Sequence, residues 1–404
     1  MSDGPEETEP VRVERPATGG AVGRLGDGRV VFVRHALPGE LVRVRVTDRT
    51  STYARADAVE VLEASAERVN APCEYARPGA CGGCDLQHAS VRAQSDWKAA
   101  IVAGHLTRLA RLDREVAVVA PDGPARGSRT RLRCAVTPDG SLALRAARSH
   151  DLIEIASCWI ADERMAPAFA THWGDAVEVE LRAIGDGEPF AVVRRATPRG
   201  PLDDVRSLTG APLAGASSRV EAAGHHYTVS PRSFWQAHRA APALLVDAVR
   251  SRLGAGPGDT VVDLYSGVGL FAVALARDVG PSGRVVAVES SPAAVRDARS
   301  NADGLSQVKV REWSVAPRAV NDAVSSGDLV VVDPPRQGLA RGVAGALVRR
   351  APRRIVYVSC DAATFARDLA HLGRGGYELT DLAAFDLFPM TEHVEIVATL
   401  DRVA

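Results

Sequence analysis

Cys360 is the residue whose type and setting point most directly to covalent chemistry. It follows Arg354–Ser359 (RIVYVS), a short β-branched run that reads as a buried parallel strand. Asp361 then reads as the N-cap of a helix running to Leu369. A thiol at the carboxyl end of a strand lies where open α/β sheets bind ligands. The adjoining helix dipole favours the thiolate, the form that attacks carbon. An inert buried cysteine is the alternative, and the surrounding motifs decide between them.

The first such motif is Asp263-Leu-Tyr-Ser-Gly267-Val-Gly269, a glycine turn after the strand-like run TVVDL. Its glycines let backbone approach a ligand closely. No third glycine follows at the dinucleotide position, which disfavours a GxGxxG dehydrogenase. The run RVVAVE ends in Glu289, 22 residues after Gly267 (289 − 267). A carboxylate at that strand end can accept both ribose hydroxyls. Asp333-Pro334-Pro335 ends a further strand, its prolines stiffening the loop. Turn, strand-end acid and DPP together are the layout of an S-adenosylmethionine (SAM) methyltransferase. Arg336 stands after DPP, where amine methyltransferases usually carry an aromatic residue, and this leaves Cys360 to explain the chemistry.

A second cluster lies upstream. Cys73, Cys81 and Cys84 crowd into a stretch rich in glycine and proline, with Cys134 or Cys158 as a possible fourth ligand. Cys158, after the run DLIEIAS, is favoured, because Cys134 lies in an alternating strand. Four thiolates suit a structural zinc or an iron–sulfur cluster. Six cysteines in 404 residues, three of them clustered, favour metal over disulfides.

The elements that must position these groups form three units. Residues 1–10 read as a disordered acidic tail, and 11–66 as short glycine-punctuated strands of a small OB-like barrel. Arg43 and Arg45 share one face of a barrel strand. Residues 67–92 and 120–228 read as a mixed α/β central domain holding the cysteines. Residues 93–119 and 229–404 read as a doubly wound Rossmann-like domain, with an amphipathic helix over Ser95–Leu112. The net charge of −1 advertises no global attraction to nucleic acid, so such binding falls to local patches. The most basic is the arginine stretch Arg126–Arg133. No apolar run approaches a membrane span, and a cytoplasmic monomer is expected.

On these motifs the chain resembles the uridine C5 RNA methyltransferases, specifically the ribosomal-RNA branch with an iron–sulfur cluster. The barrel resembles a TRAM domain. CGGCDLQH resembles the cluster-binding segment, which implies Cys73, Cys81, Cys84 and Cys158 as [4Fe–4S] ligands. SFWQ resembles the family's FxQ segment and DLYSGVGLF its SAM turn. The resemblance thus implies Gln236, Tyr265, Gly267, Gly269, Glu289 and Asp333 as SAM contacts. VSCDAATFARDL resembles the nucleophile motif, implying Cys360, and HVE the general-base motif, implying Glu395. Leu270 stands where relatives often have Asn, and Asp361-Ala362 where Asn-Pro is usual.

The implied chemistry needs both reacting residues. C5 of uracil is a poor nucleophile until a thiolate adds at C6, which makes C5 an enolate carbon. After methylation a base must remove the C5 proton before the thiolate leaves. A strand over His393–Leu400 puts His393 and Glu395 on one face and Glu392 on the other. The expected partner is 23S ribosomal RNA. The same chemistry on the T-loop uridine of transfer RNA, or an RNA-binding protein with an inactive methyltransferase domain, are the alternatives.

Overall fold

The computed structural model describes residues 8–198 and 200–403. Of the tail expected over 1–10, residues 1–7 lie outside the described residues, and Thr8–Pro10 instead open a barrel strand. Five strands, Thr8–Ala17, Gly20–Arg24, Val30–Arg34, Leu41–Arg49 and Tyr53–Glu63, close into that barrel. Period-two alternation buries Val11, Val13, Val31, Val33, Val42 and Val44 inside it. Closure leaves no open strand edge. Arg43 alternates with these valines and is ion-paired to Glu60 at 2.9 Å.

The central sheet has six antiparallel strands, in the order Leu202–Ser207, Phe190–Arg195, Ala176–Arg182, Arg131–Val136, Leu142–Arg145 and Leu152–Glu154. Its α-helical part is the single turn Ala166–Phe169. The basic stretch expected to meet RNA is largely consumed here. Arg126 pairs with Glu163 at 3.5 Å, Arg131 with Glu180 at 3.1 Å, and Arg133 with Glu178 and Glu180 at 3.6 and 3.2 Å. Arg129 has no ion-pair partner among the described residues, and the side chains of Arg126 and Arg133 stay 64% and 61% exposed.

The third sheet carries the chemistry. We label its strands β1 (Thr260–Leu264), β2 (Arg284–Glu289), β3 (Val308–Glu312), β4 (Leu329–Val332), β5 (Arg354–Ser359), β6 (Tyr377–Phe385) and β7 (Glu395–Arg402). The helices are α1 (Val91–His105), α2 (Ala241–Leu253), α3 (Leu270–Val279), α4 (Pro292–Asn301), α5 (Pro317–Ala323), α6 (Val343–Arg350) and α7 (Ala362–Arg374). Strand order is β3-β2-β1-β4-β5-β7-β6, and Val118–Val119 adds two residues beside β6. The first five strands are parallel and buried on both faces, hence their near-continuous valines. The sheet is not parallel throughout: β7 runs antiparallel between β5 and β6. The segment 386–394 joining β6 to β7 is too short for a crossover helix, so the chain turns back as a hairpin.

The amphipathic helix begins earlier than its apolar spacing suggests, because Ser90 caps α1 by accepting the Ala93 N–H at 3.1 Å. It continues as a π-helical turn over Leu106–Ala110. Lys98 on α1 is fully buried, ion-paired with Asp386, and donates to the Phe388 carbonyl at 3.0 Å. Gln94 Oε1 accepts the Met390 N–H at 2.9 Å. The segment leading into β7 is thereby pinned from behind by α1.

Candidate active site

The reacting groups stand at the carboxyl ends of β4 and β5 and at the start of β7. Ser359 is the partner of Ile396 in the β5–β7 ladder. One further step of that register puts Cys360 opposite Glu395, and cross-strand partners face the same side at roughly 5 Å between Cβ atoms. Asp333 follows β4 directly. Asp361 caps α7, its Oδ1 accepting the Thr364 N–H at 2.8 Å. Helix α7 also lashes down the loop after Asp333. Thr364 Oγ1 donates to the Arg336 carbonyl at 3.0 Å, and the Leu339 N–H donates to Asp368 at 2.7 Å. Glu395 is 3% exposed, whereas Asp333 and Cys360 keep some surface. His393 lies before β7 rather than in it.

Electrostatics here run against the expected dipole effect. Burial first, then the negative charge of Glu395 and Asp333, push the Cys360 thiol up to about 12, with Arg336 pulling the other way. Burial and Asp333 hold Glu395 well above the usual carboxylate range, again opposed by Arg336. Burial lifts Asp333 to about 7. A helix N-terminus alone therefore does not yield a resting thiolate. Proton removal must accompany attack.

Beside this group lies the glycine turn after β1. Tyr265 adopts a left-handed backbone at φ 65°, uncommon for a bulky residue. Its hydroxyl accepts the Ala340 N–H at 3.3 Å, tying the turn to the loop after Asp333. Gly267 has φ 55°, and a Cβ there would meet nothing within 4 Å, so the turn faces open space. Its N–H donates to Glu289 at 3.0 Å. Gly269 opens α3. Asp263 is fully buried; one carboxyl oxygen accepts the Ala272 N–H at 3.1 Å, and the other has no partner among the described residues. Burial, then Asp333, raise its pKa strongly. Leu270 turns into the apolar core, 7% exposed. Gln236 is half-buried between the hairpin strand His225–Val229 and α2, and its carbonyl accepts from Thr130 Oγ1 at 3.4 Å. No described hydrogen bond links its amide to the other turn residues.

Cys73, Cys81, Cys84 and Cys158 line one cavity of about 170 Å³, walled by Leu132, Leu144, Ile155 and Ile160. Cys134 is buried within the core of the central sheet and does not line it. The Gly83 N–H donates to Cys81 Sγ at 3.3 Å. Burial raises Cys81 and Cys158 and pushes Cys84 up to about 12. Four thiols around an apolar space are a donor set suited to a soft metal centre. Among the described residues, no three metal-ligating side chains already stand close enough to share an ion.

Comparison with known proteins agrees with this geometry. Residues 321–403 match the tRNA (uracil-5-)-methyltransferase family model, 6–59 the TRAM domain, and 237–357 the methyltransferase small domain. An uncharacterized RNA methyltransferase of Streptomyces avermitilis is 41% identical over 96% of both chains. The 23S rRNA (uracil(1939)-C(5))-methyltransferase RlmD of Chromohalobacter salexigens is 34% identical, covering 96% of this chain and 88% of its own. The chain belongs to the RNA uracil-C5 methyltransferase family. The crystal structure of Pyrococcus abyssi tRNA (uracil-54, C5)-methyltransferase with S-adenosyl-L-homocysteine (SAH) is also similar. It has a TM-score of 0.72 and 25% identity, covering 96% of this chain and 99% of that one.

As a member of that family the enzyme is SAM-dependent, and the turn fits that molecule. SAM carries a sulfonium and an ammonium, and the turn gathers Asp263, Glu289 and Asp333 with an unsatisfied acidic oxygen. Sequence reading missed Arg336 as a site residue, because its influence on Cys360 and Glu395 appears only when three strand ends meet. It also missed Trp313 after β3, whose backbone N–H donates to the Glu289 backbone carbonyl at 2.9 Å and whose exposed indole lies under the Arg311 guanidinium at 5.3 Å. The available signal was an aromatic residue just after the short alternating run VKVRE, which the sequence reading did not assign as a strand. Among the described residues, no helix is long and apolar enough to cross a membrane.

Proposed function

We propose that the enzyme methylates C5 of a uridine in 23S ribosomal RNA through a transient bond between Cys360 and C6. The observation that carries this is the β5–β7 register, which ends with Ser359 opposite Ile396 and so brings the Cys360 thiol within electrostatic range of Glu395, Asp333 and Arg336. As the S–C6 bond forms, the thiol proton passes to Asp333, which retains surface and can hand it to water. The C5–C6 π electrons shift onto the C4 carbonyl, where Arg336 offsets the growing negative charge. SAM supplies the methyl group taken by C5, together with a positive charge that is lost on transfer. Glu395 then removes the C5 proton, the double bond re-forms, and Cys360 is expelled. A carboxylate held above its normal pKa is the stronger base for this last step.

Ribosomal RNA is favoured by relatives named for 23S rRNA at 34% and 32% identity. The transfer-RNA reading is supported by the likeness to the Pyrococcus abyssi enzyme. Incubation of each RNA with methyl-labelled SAM, followed by mapping of 5-methyluridine, separates them. The proposal expects label in 23S rRNA, and label confined to the transfer-RNA T-loop would overturn that part.

The SAM contacts of Gln236, Tyr265, Gly267, Gly269, Glu289 and Asp333 belong to the same proposal. With Asp333 at about 7, its charge is lost in mild acid. Its attraction for the sulfonium is therefore present above that pH and absent below it. The affinity ratio of SAM to SAH, which lacks the sulfonium charge, should rise about tenfold between about pH 6 and about pH 8. Titration calorimetry should find the ratio flat in Asp333→Asn.

We also propose that Cys73, Cys81, Cys84 and Cys158 hold a [4Fe–4S] cluster that braces the central domain. Methyl transfer has no redox step, so no electron passes through it. Anaerobically purified enzyme should be brown and contain iron and acid-labile sulfide in equal amounts, both lost in Cys84→Ser. Colourless protein with stoichiometric zinc would replace the cluster with a zinc site.

A further inference from the structure

Three of the four arginines expected to meet RNA, Arg126, Arg131 and Arg133, are ion-paired with glutamates, which directs attention to other basic surfaces. A second basic site lies on the opposite side of the sequence. Arg341, Arg367, His371 and Arg374 line a cavity of about 350 Å³ between α6, α7 and the loop that follows Asp333. All four are exposed. Arg349 joins them. Its Nη1 and the Nε2 of His371 lie 3.5 and 3.8 Å from the point where a Cβ on Gly345 would stand, so both converge over that glycine. Of the charged groups here, only Arg367 has an ion-pair partner among the described residues, Asp368 at 2.7 Å. Asp368 is itself spent on the Leu339 N–H and the Tyr357 hydroxyl. Four guanidinium groups thus face one internally satisfied carboxylate. A shallow, open cavity of this kind suits phosphate oxygens rather than a buried apolar ligand.

Its position matters as much as its charge. The wall of the cavity from Leu339 onward continues the loop that leaves Asp333 and Arg336, and α7 begins two residues after Cys360. Residues 367–374 lie 7 to 14 positions along the chain from Cys360, roughly 10–20 Å down the helix at 1.5 Å per residue. That is the reach of a few nucleotides from a base held at the thiol. We propose that this α6–α7 groove carries the phosphate backbone of the substrate RNA on one side of the target uridine. The inference rests on the RNA-methylation reading and names a surface for it.

The test is binding of a fluorescein-labelled, uridine-containing single-stranded RNA to the full-length enzyme with SAH present, followed by anisotropy across a salt series. The variants are Arg341→Glu/Arg374→Glu, Gly345→Glu, and a control, Arg277→Glu, on the exposed surface of α3. Each lost phosphate contact should lower the magnitude of the slope of log affinity against log salt by about 0.7. The double variant should therefore lose tenfold or more in affinity and well over one unit of slope. Gly345→Glu, which leaves every arginine in place, should weaken binding in the same direction. SAH affinity should stay unchanged, and methylation across an RNA concentration series should show a raised KM for RNA with kcat retained. Unchanged affinity and slope in both groove variants, or an equal loss in the control, would overturn the groove. The two readings fail separately. An enzyme that methylates RNA while its groove variants bind normally refutes only the groove. Groove-dependent RNA binding without uridine methylation refutes only the proposed activity.

Discussion

Cys360→Ala should lower uridine methylation by roughly 10⁴-fold or more while leaving SAH binding and the fold intact. The expected loss is large because no other group does the same work. Without a bond at C6, C5 never acquires the electron density to attack the methyl group, however well the RNA and SAM are held. The fold should survive, since Cys360 lies just beyond β5 and the cap of α7 belongs to Asp361. Single-turnover assays with labelled SAM check the rate, and SAH titration with thermal melting checks that the protein is otherwise whole.

The second large effect is expected at Glu395. Glu395→Gln preserves the volume of a side chain that is 3% exposed but cannot accept a proton. Turnover should fall by roughly 10²–10⁴-fold. The signature differs from that of Cys360→Ala, because the block falls after the methyl group has moved. The C5 proton stays, the double bond cannot re-form, and enzyme should accumulate bound to ordinary uridine RNA. Glu395 is needed only after the methyl group has moved, so adduct formation is not the step impaired. A slower-migrating, denaturant-resistant band carrying labelled methyl is the expected result. A slow Glu395→Gln enzyme with no such band would assign the base elsewhere.

Much of this site could be read from local sequence. Strand β5 matches the run Arg354–Ser359 residue for residue, and Asp361 caps the helix after it, because β-branched burial and N-capping are decided by adjacent residues. What depends on distant partners could not be read. The elevated Cys360 thiol comes from burial and from Glu395 and Asp333, which are 35 and 27 positions away (395 − 360 and 360 − 333). The stretch Arg126–Arg133 looked free until Glu163, Glu178 and Glu180 folded against it. Lys98 on α1 can be buried only because the β6–β7 segment supplies Asp386, a partner 288 positions away that local sequence does not reveal. The antiparallel placement of β7 has the same origin, since a strand's own residues do not say which neighbour it will meet.

The central claim is a covalent bond between Cys360 and the pyrimidine, and 5-fluorouridine tests it most directly. Fluorine at C5 cannot leave as a proton, so the methylated adduct should be trapped on the enzyme. Wild-type enzyme, SAM and RNA carrying 5-fluorouridine at the mapped site should give a stable complex, and mass spectrometry of its peptides should find a methylated fluorouridine on Cys360. The account is contradicted if the modified peptide carries the nucleotide on another residue. It is contradicted equally if Cys360→Ala forms the same complex.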